Sequence, residues 1–457
     1  MIRALFLCFF VLPFTAQAET RVPESQAEIS LSFAPLVKTA APAVVNIYAR
    51  RVVQTQSPFA GDPFFHDFFR QFRGQPRVQN SLGSGVILSE DGIVVSNYHV
   101  VGMATDIRVV LSDRREYQAR VLLGDEESDL AILQLDGAFD MPVLPLRNSD
   151  TVEVGELVLA IGNPFGVGQT VSSGIVSGLA RSGAATGNAR GYFIQTDAPI
   201  NPGNSGGALI DVAGRLIGVN TSILTRSGGS NGIGFAIPAA LVAQFVEQAR
   251  AGNKRFERPW AGITGQPVDA DLSQSLGLRL PGGVVVTALH PDSPFTAAGI
   301  LVGDVILAVD GQAVQTPAEM IFRMAVRGSG ASAQIVRARE GQETLVTVEM
   351  IAPPERPARA TQVLGGRAVL PGLTVANINP AVVAELGLSL NSAGVVVIDP
   401  GPFGARAGLQ AGDVLRAIGR QIIDDPGNVE RALARSAPRI QIELLRGGQR
   451  VILRFRV

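Results

Sequence analysis

Several motifs in the C-terminal half of this chain occur twice. Gly283-Val284-Val285-Val286 returns as Gly394-Val395-Val396-Val397, and Gly303-Asp304-Val305-Ile306 returns as Gly412-Asp413-Val414-Leu415. Ala298-Gly299-Ile300 matches Ala407-Gly408-Leu409, and Ser275-Leu276-Gly277-Leu278 matches Glu385-Leu386-Gly387-Leu388. The offset is about 110 residues. Solenoid repeats are far shorter, roughly 20–45 residues, so two copies at this spacing mean a duplicated domain-sized module. The 457 residues therefore divide naturally into an N-terminal domain and two copies of a smaller one, in line with about one domain per 100–200 residues. Ala352–Ala360, with three Pro and three charged residues, reads as the linker between the copies.

Ahead of the repeat, short β-branched runs are broken by Gly, Asp and Asn. Examples are Val44–Ile47, Val86–Leu88, Ile93–Val95, Ile107–Leu111, Leu130–Leu133, Leu157–Ile161 and Leu216–Val219. This spacing predicts a mainly β sandwich or barrel. Ala239–Arg250 reads as a helix started by Pro238. Phe59, Phe64, Phe65, Phe68, Phe69 and Phe72 crowd together at partly helical spacing. Either a helix packed on the core or a regulatory or subunit-contact loop fits them.

The first residues read as an export signal. Arg3 precedes an apolar run, Ala4 to Phe14, that is too short to span a bilayer. Ala16-Gln17-Ala18 suits cleavage after Ala18, which predicts a periplasmic protein; an uncleaved anchor is the alternative. The only cysteine, Cys8, lies in this segment, so the mature chain holds no disulfide, cysteine nucleophile or zinc–thiolate site. No metal or other cofactor is expected. Lys plus Arg number 39 against 40 for Asp plus Glu, which argues against nucleic acid as a main partner.

Three local signatures follow one another: Ser96-Asn97-Tyr98-His99-Val100, Ser128-Asp129-Leu130 and Gly203-Asn204-Ser205-Gly206-Gly207. The order His, Asp, Ser is one of the known orders of a serine nucleophile's triad. A serine hydroxyl needs a base to take its proton, a neutral imidazole does so near pH 7, and a carboxylate orients the ring. Glycines beside the serine permit a tight turn of converging amides. His99, Asp129 and Ser205 are thus the candidate catalytic residues. The amides of Gly203, Asn204 and Ser205, chiefly the first and last, are the candidate oxyanion hole.

The chain resembles the Deg/HtrA family of exported serine proteases. Beyond the three segments above, the resemblance rests on Gly83-Ser84-Gly85, Ile161-Gly162-Asn163-Pro164-Phe165-Gly166, Gln195-Thr196-Asp197-Ala198 and Gly232-Ile233-Gly234-Phe235-Ala236-Ile237-Pro238. It implies a chymotrypsin-like double β-barrel followed by two PDZ domains of α+β type. The expected boundaries are a signal at 1–18, a leader at 19–33, the protease at 34–255, PDZ domains at 256–352 and 364–457, and a linker at 353–363. It also implies trimers or larger homo-oligomers.

Digestive relatives carry Asp at the position of Asn204, where it pairs with a new N-terminal amine. An amide cannot form that ion pair. Loop rearrangement in Arg181–Tyr192, Pro199–Gly203 or Leu224–Gly232 is the expected mode of control. Lys/Arg-specific relatives carry Asp six residues before the nucleophile, and here that residue is Pro199. Ile200 and Ile223 are the better candidates for pocket lining, which predicts cleavage after small or medium aliphatic residues. Thr221-Ser222-Ile223 is placed to pair with substrate backbone as an added strand. In the modules, Trp260-Ala261-Gly262-Ile263 and Pro371-Gly372-Leu373-Thr374 are the expected carboxylate-binding loops. The second copy is shorter between Gly394 and Gly412, and family analogy gives it an assembly role as an alternative.

The resulting expectation is an ATP-independent periplasmic endopeptidase that degrades unfolded or damaged exported proteins. Two rivals stand beside it: a chaperone or PDZ scaffold with little turnover, and a narrow regulatory protease of an envelope stress pathway.

Overall fold

The structure is a computed structural model that describes residues 32–53, 77–163, 168–182, 192–201, 203–223 and 232–457. The signal segment, the Phe-rich run, Pro164–Gly166, most of Arg181–Tyr192 and Leu224–Gly232, and Pro202 of the third candidate control loop lie outside the described residues. Two compact units are formed. Within the described residues, one spans the chain up to Arg120 together with Leu133–Ser177 and Thr196–Ala239. The other spans Val121–Ile132, Gly178–Gln195 and Ala240–Val457.

The N-terminal half folds into two closed six-stranded barrels. The first contains β1 (Val44–Val53), β2 (Arg77–Ile87), β3 (Ile93–Ser96), β4 (Asp106–Val110), β5 (Glu116–Asp125) and β6 (Leu130–Leu135). Its strand order is β1-β2-β3-β6-β5-β4. The second contains β7 (Leu157–Gly162), β8 (Thr170–Ser182), β9 (Tyr192–Thr196), β10 (Ala208–Asp211), β11 (Leu216–Ile223) and β12 (Gly234–Pro238). Its order is β10-β11-β12-β9-β8-β7. Closure removes the unpaired edges that an open sheet would expose. Ile47, Val109, Leu130 and Ile132 are buried in the first barrel, and Leu159, Ile161, Ile217 and Ile237 are buried in the second. Two helices follow strands: α1 (Tyr98–Val101), one residue after β3, and α2 (Ala239–Arg250), which begins directly after Pro238.

The two repeats fold alike. The first is a sheet of β13 (Ile263–Pro267), β14 (Val284–Leu289), β15 (Val305–Val309), β16 (Gln312–Ala313), β17 (Ser332–Arg339) and β18 (Gln342–Glu349), with helix α3 (Pro317–Arg327). Thr316 caps α3 by accepting the Glu319 amide. The second is a sheet of β19 (Gln362–Val363), β20 (Thr374–Asn377), β21 (Val395–Asp399), β22 (Val414–Ile418), β23 (Gln421–Ile422), β24 (Arg439–Arg446) and β25 (Gln449–Arg456). Helices α4 (Pro380–Leu386) and α5 (Val429–Ser436) belong to it. Val284, Val286 and Ile306 occupy one core, and their repeat mates Val395, Val397 and Leu415 occupy the other.

The repeated Gly-Asp motif has a structural cause. Asp304 is buried, accepts the Leu301 amide at 2.8 Å, and pairs with Arg339 at 2.6 Å and Arg337 at 3.2 Å. Asp413 accepts the Gln410 amide and pairs with Arg446 in the same way. Burial alone would raise the Asp304 pKa. The Arg339 guanidinium, the Leu301 amide and Arg337 outweigh it and hold the carboxyl below its ordinary range. A depressed carboxylate stabilises the fold above its unfolded pKa of about 3.9, and the contribution is lost as pH falls through the lower folded value. Asp304→Asn is expected to flatten that acid loss. Thermal melts between about pH 6 and pH 2 test it, and an acid limb identical to wild type would count against this pairing.

Candidate active site

His99 is exposed on α1, three residues past β3, and Asp129 directly precedes β6. β3 and β6 are neighbours in the first barrel. Asp129 adopts φ +53°, a left-handed conformation that a short polar side chain tolerates better than a bulky one. Its turn is pinned from outside: Ser128 donates its amide to Asp125, and Arg258 donates to both Asp125 and the Ser128 hydroxyl, the latter at 2.6 Å.

Ser205 sits on the turn between β9 and β10, half-buried. Three of the five amides from Gly203 to Gly207 are bonded. The Asn204 amide donates to Asn201 at 2.9 Å, Gly206 to Asn220 at 2.8 Å and Gly207 to Asn204 at 2.9 Å. Among the described residues, the Gly203 and Ser205 amides have no partner. Of the three amides expected to bind an oxyanion, the middle one is therefore committed elsewhere and the outer two are unspent.

The turn is held by the first barrel. Ser84 of β2 donates its amide to the Ser205 carbonyl at 2.8 Å and its hydroxyl to the Gly203 carbonyl at 2.6 Å. The same hydroxyl accepts the Asn163 amide at 2.8 Å. Gly83 makes this approach possible, because a Cβ there would lie 2.8 Å from Val100 and 3.3 Å from the Ser205 carbonyl. Asn204 is buried, and its Oδ1 accepts the Thr170 hydroxyl at 2.8 Å.

On the substrate side, the Ser205 hydroxyl donates to the Thr221 carbonyl at 3.0 Å. Thr221 lies at a β-bulge between β11 and β12, where register jumps from Asn220–Ala236 to Ser222–Phe235. Bulges of this kind re-aim a backbone beside a site. β10 pairs with β11 only over Leu216–Val219, so the segment from Thr221 onward is unpaired with it. Ile200 is buried beneath Gly234. The side chains of Ser222 and Ile223 lie outside the described residues.

In the first module, β13 is the outermost strand of its sheet and lies against α3. The Trp260 ring is buried against His290, 5.2 Å between centroids. Gly262 has φ +61°, Ala261 accepts the Ser293 hydroxyl through its carbonyl, and Ile263 opens β13. Trp260 is thus a packing residue, and the loop offers its backbone.

Ser84, Thr170 and Arg258 support the site through contacts that the sequence alone does not reveal. Gly83-Ser84-Gly85 carried a signal: two glycines around a polar residue in a strand mark close backbone approach.

A trypsin-like peptidase domain family matches residues 83–219, and a PDZ domain family matches residues 285–333. With the double barrel, these matches define a serine endopeptidase that carries PDZ structure. A probable periplasmic serine endoprotease, DegP-like, from Pseudomonas fulva (strain 12-X) is 35% identical over 484 residues, covering 99% of this chain and 98% of the relative. A protein of the same description from Halomonas elongata is 37% identical over 413 residues, covering 86% of each. The solved structure of the HtrA-type protease AlgW with decapeptide aligns with a TM-score of 0.52 at 41% identity, covering 71% of this chain and 99% of that one. The chain belongs to the DegP-like, HtrA-type family of periplasmic serine endoproteases. No helix among the described residues is long and apolar enough to cross a membrane.

Proposed function

We propose that this endopeptidase degrades unfolded or damaged exported polypeptides without nucleotide, through an acyl-enzyme on Ser205. The observation that carries this reading is the pair of unspent amides, Gly203 and Ser205, on a turn whose other amides are bonded. The Thr221 carbonyl orients the Ser205 hydroxyl but cannot act as a base. His99 takes the proton as Oγ attacks the scissile carbonyl, and Asp129 stabilises the imidazolium. The two amides receive the negative oxygen. His99 then protonates the leaving amine, and water, activated by His99, releases the acyl group and restores the serine. The segment after Thr221 pairs with substrate backbone, and Ile200 with Gly234 favours a small or medium aliphatic residue before the cut. The first PDZ module holds a chain terminus along β13, its carboxylate on the Trp260–Ile263 loop.

Nucleotide-free cleavage of unfolded casein by wild type and Ser205→Ala tests the reading, with the new ends mapped. Cuts mainly after Lys or Arg would refute the pocket assignment. Client protection without cleavage by the wild type would favour a chaperone.

Ser84 acts here as a positioning residue. Ser84→Ala leaves the Gly203 carbonyl and the Asn163 amide without their buried partner, a cost of about 1–3 kcal/mol. The expected result is a kcat lower by about 10–100-fold with KM nearly unchanged, since about 1.4 kcal/mol is tenfold. A peptide-amide substrate measures it, and a kcat equal to wild type would show that the turn holds itself.

A further inference from the structure

In the second module the place expected for a ligand is filled by the chain itself. The first sheet ends at β13, whereas the equivalent strand β20 has β19 beside it. Gln362 pairs with Val375 and Val363 with Thr374, antiparallel. One residue on, the Leu364 amide donates to the Leu373 carbonyl at 2.9 Å, and the Gly372 amide donates to the Leu364 carbonyl at 2.9 Å. Gly372 belongs to the loop expected to bind a terminal carboxylate, and its amide is already satisfied.

The side chains follow the same pattern. Leu364 is 3% exposed, in one cluster with Leu370, Leu373, Val429 and Leu433. Its neighbour Val363 is 67% exposed. Gln362 and Val363 are both exposed and Leu364 alone is buried; an added strand that ends in a buried aliphatic residue against a loop amide is how a terminus is read by strand addition.

We propose that Gln362–Leu364 is an internal ligand, and that beneath it the second module holds a groove for a chain terminus ending in a medium aliphatic residue with a free carboxylate. This rests on the reading that the first module binds termini. A tethered segment competes at an effective concentration of about millimolar, so a free peptide of similar intrinsic affinity stays out at micromolar levels. Withdrawal of the segment opens the groove.

The test uses the full chain carrying Ser205→Ala, so that the probe survives. The probe is a decapeptide ending in Val-Leu with a free carboxylate, with its C-terminally amidated form as control. Calorimetry is expected to find one bound probe per parent chain and two when Leu364→Asp is added, with no second site for the amidated form. Where Leu364→Asp disrupts the module, seen as loss of its amide signals by NMR, Leu364→Gly decides, because it empties the pocket and keeps the backbone. Two sites in the parent chain, or one site in both folded Leu364 variants, overturns the proposal. A parent chain that binds no probe would instead sink the reading of the first module.

Discussion

Ser205→Ala is expected to lower turnover of unfolded casein by about 10⁵–10⁶-fold, the scale seen when a triad serine is removed. The side chain is half-buried and lies in no hydrophobic cluster, so folding should be unaffected. What disappears is the hydroxyl proposed to form the acyl intermediate. A small residual rate above water would survive from the Gly203 and Ser205 amides, because that donor pair is backbone. Single-turnover assays against the wild type, with matched melting curves, check both halves of this expectation. Retained cleavage with a normal fold would remove Ser205 from the chemistry altogether.

Gly206→Ala should also be severe, for a different reason. Gly206 has φ +83°, and a Cβ there would lie 2.1 Å from the Ser84 carbonyl oxygen and 2.6 Å from the Ser96 hydroxyl. That carbonyl cannot yield freely, because Ser96 holds it through a 2.8 Å hydrogen bond and β2 is locked in its ladder. The turn must move instead, carrying the Ser205 amide away from its place. Loss of one such donor typically costs about 10²–10³ in rate, and displacement of the nucleophile adds to it. A kcat lower by at least about 10³-fold is expected. Gly137→Ala is the control, with φ +68° and nothing within 4 Å, so it carries the conformational cost alone and should leave kcat intact. Comparable losses in the two variants would mean that φ, and not the contact, explains Gly206.

The sequence made the double barrel and the duplicated module legible because short apolar runs and repeated Gly-Asp turns are local signals. β8 escaped notice since Thr170–Ser182 is rich in Ser and Gly and largely half-exposed or exposed. β5 carries charged and polar residues along a mostly solvent-facing strand, and its apolar stretch, Val121-Leu122-Leu123, is confined to the second half. At the site, His99, Asp129 and Ser205 each stand in a recognisable local pattern. Their supports do not: Ser84 reaches Gly203 across 119 positions, and Arg258 reaches Asp125 across 133. Such partners are set by tertiary packing, which no window of sequence contains. The filled groove in the second module was hidden similarly, because Gln362 and Val363 read as the end of a proline-rich linker and only the strand order shows them inside the sheet.

The bond from Thr170 to Asn204 has a consequence in time. Where digestive enzymes await a cut that can never be undone, this turn is secured by a neutral contact present as soon as the barrel closes. Nothing in it is consumed. No covalent change is needed to form the turn, so what makes it can also be unmade.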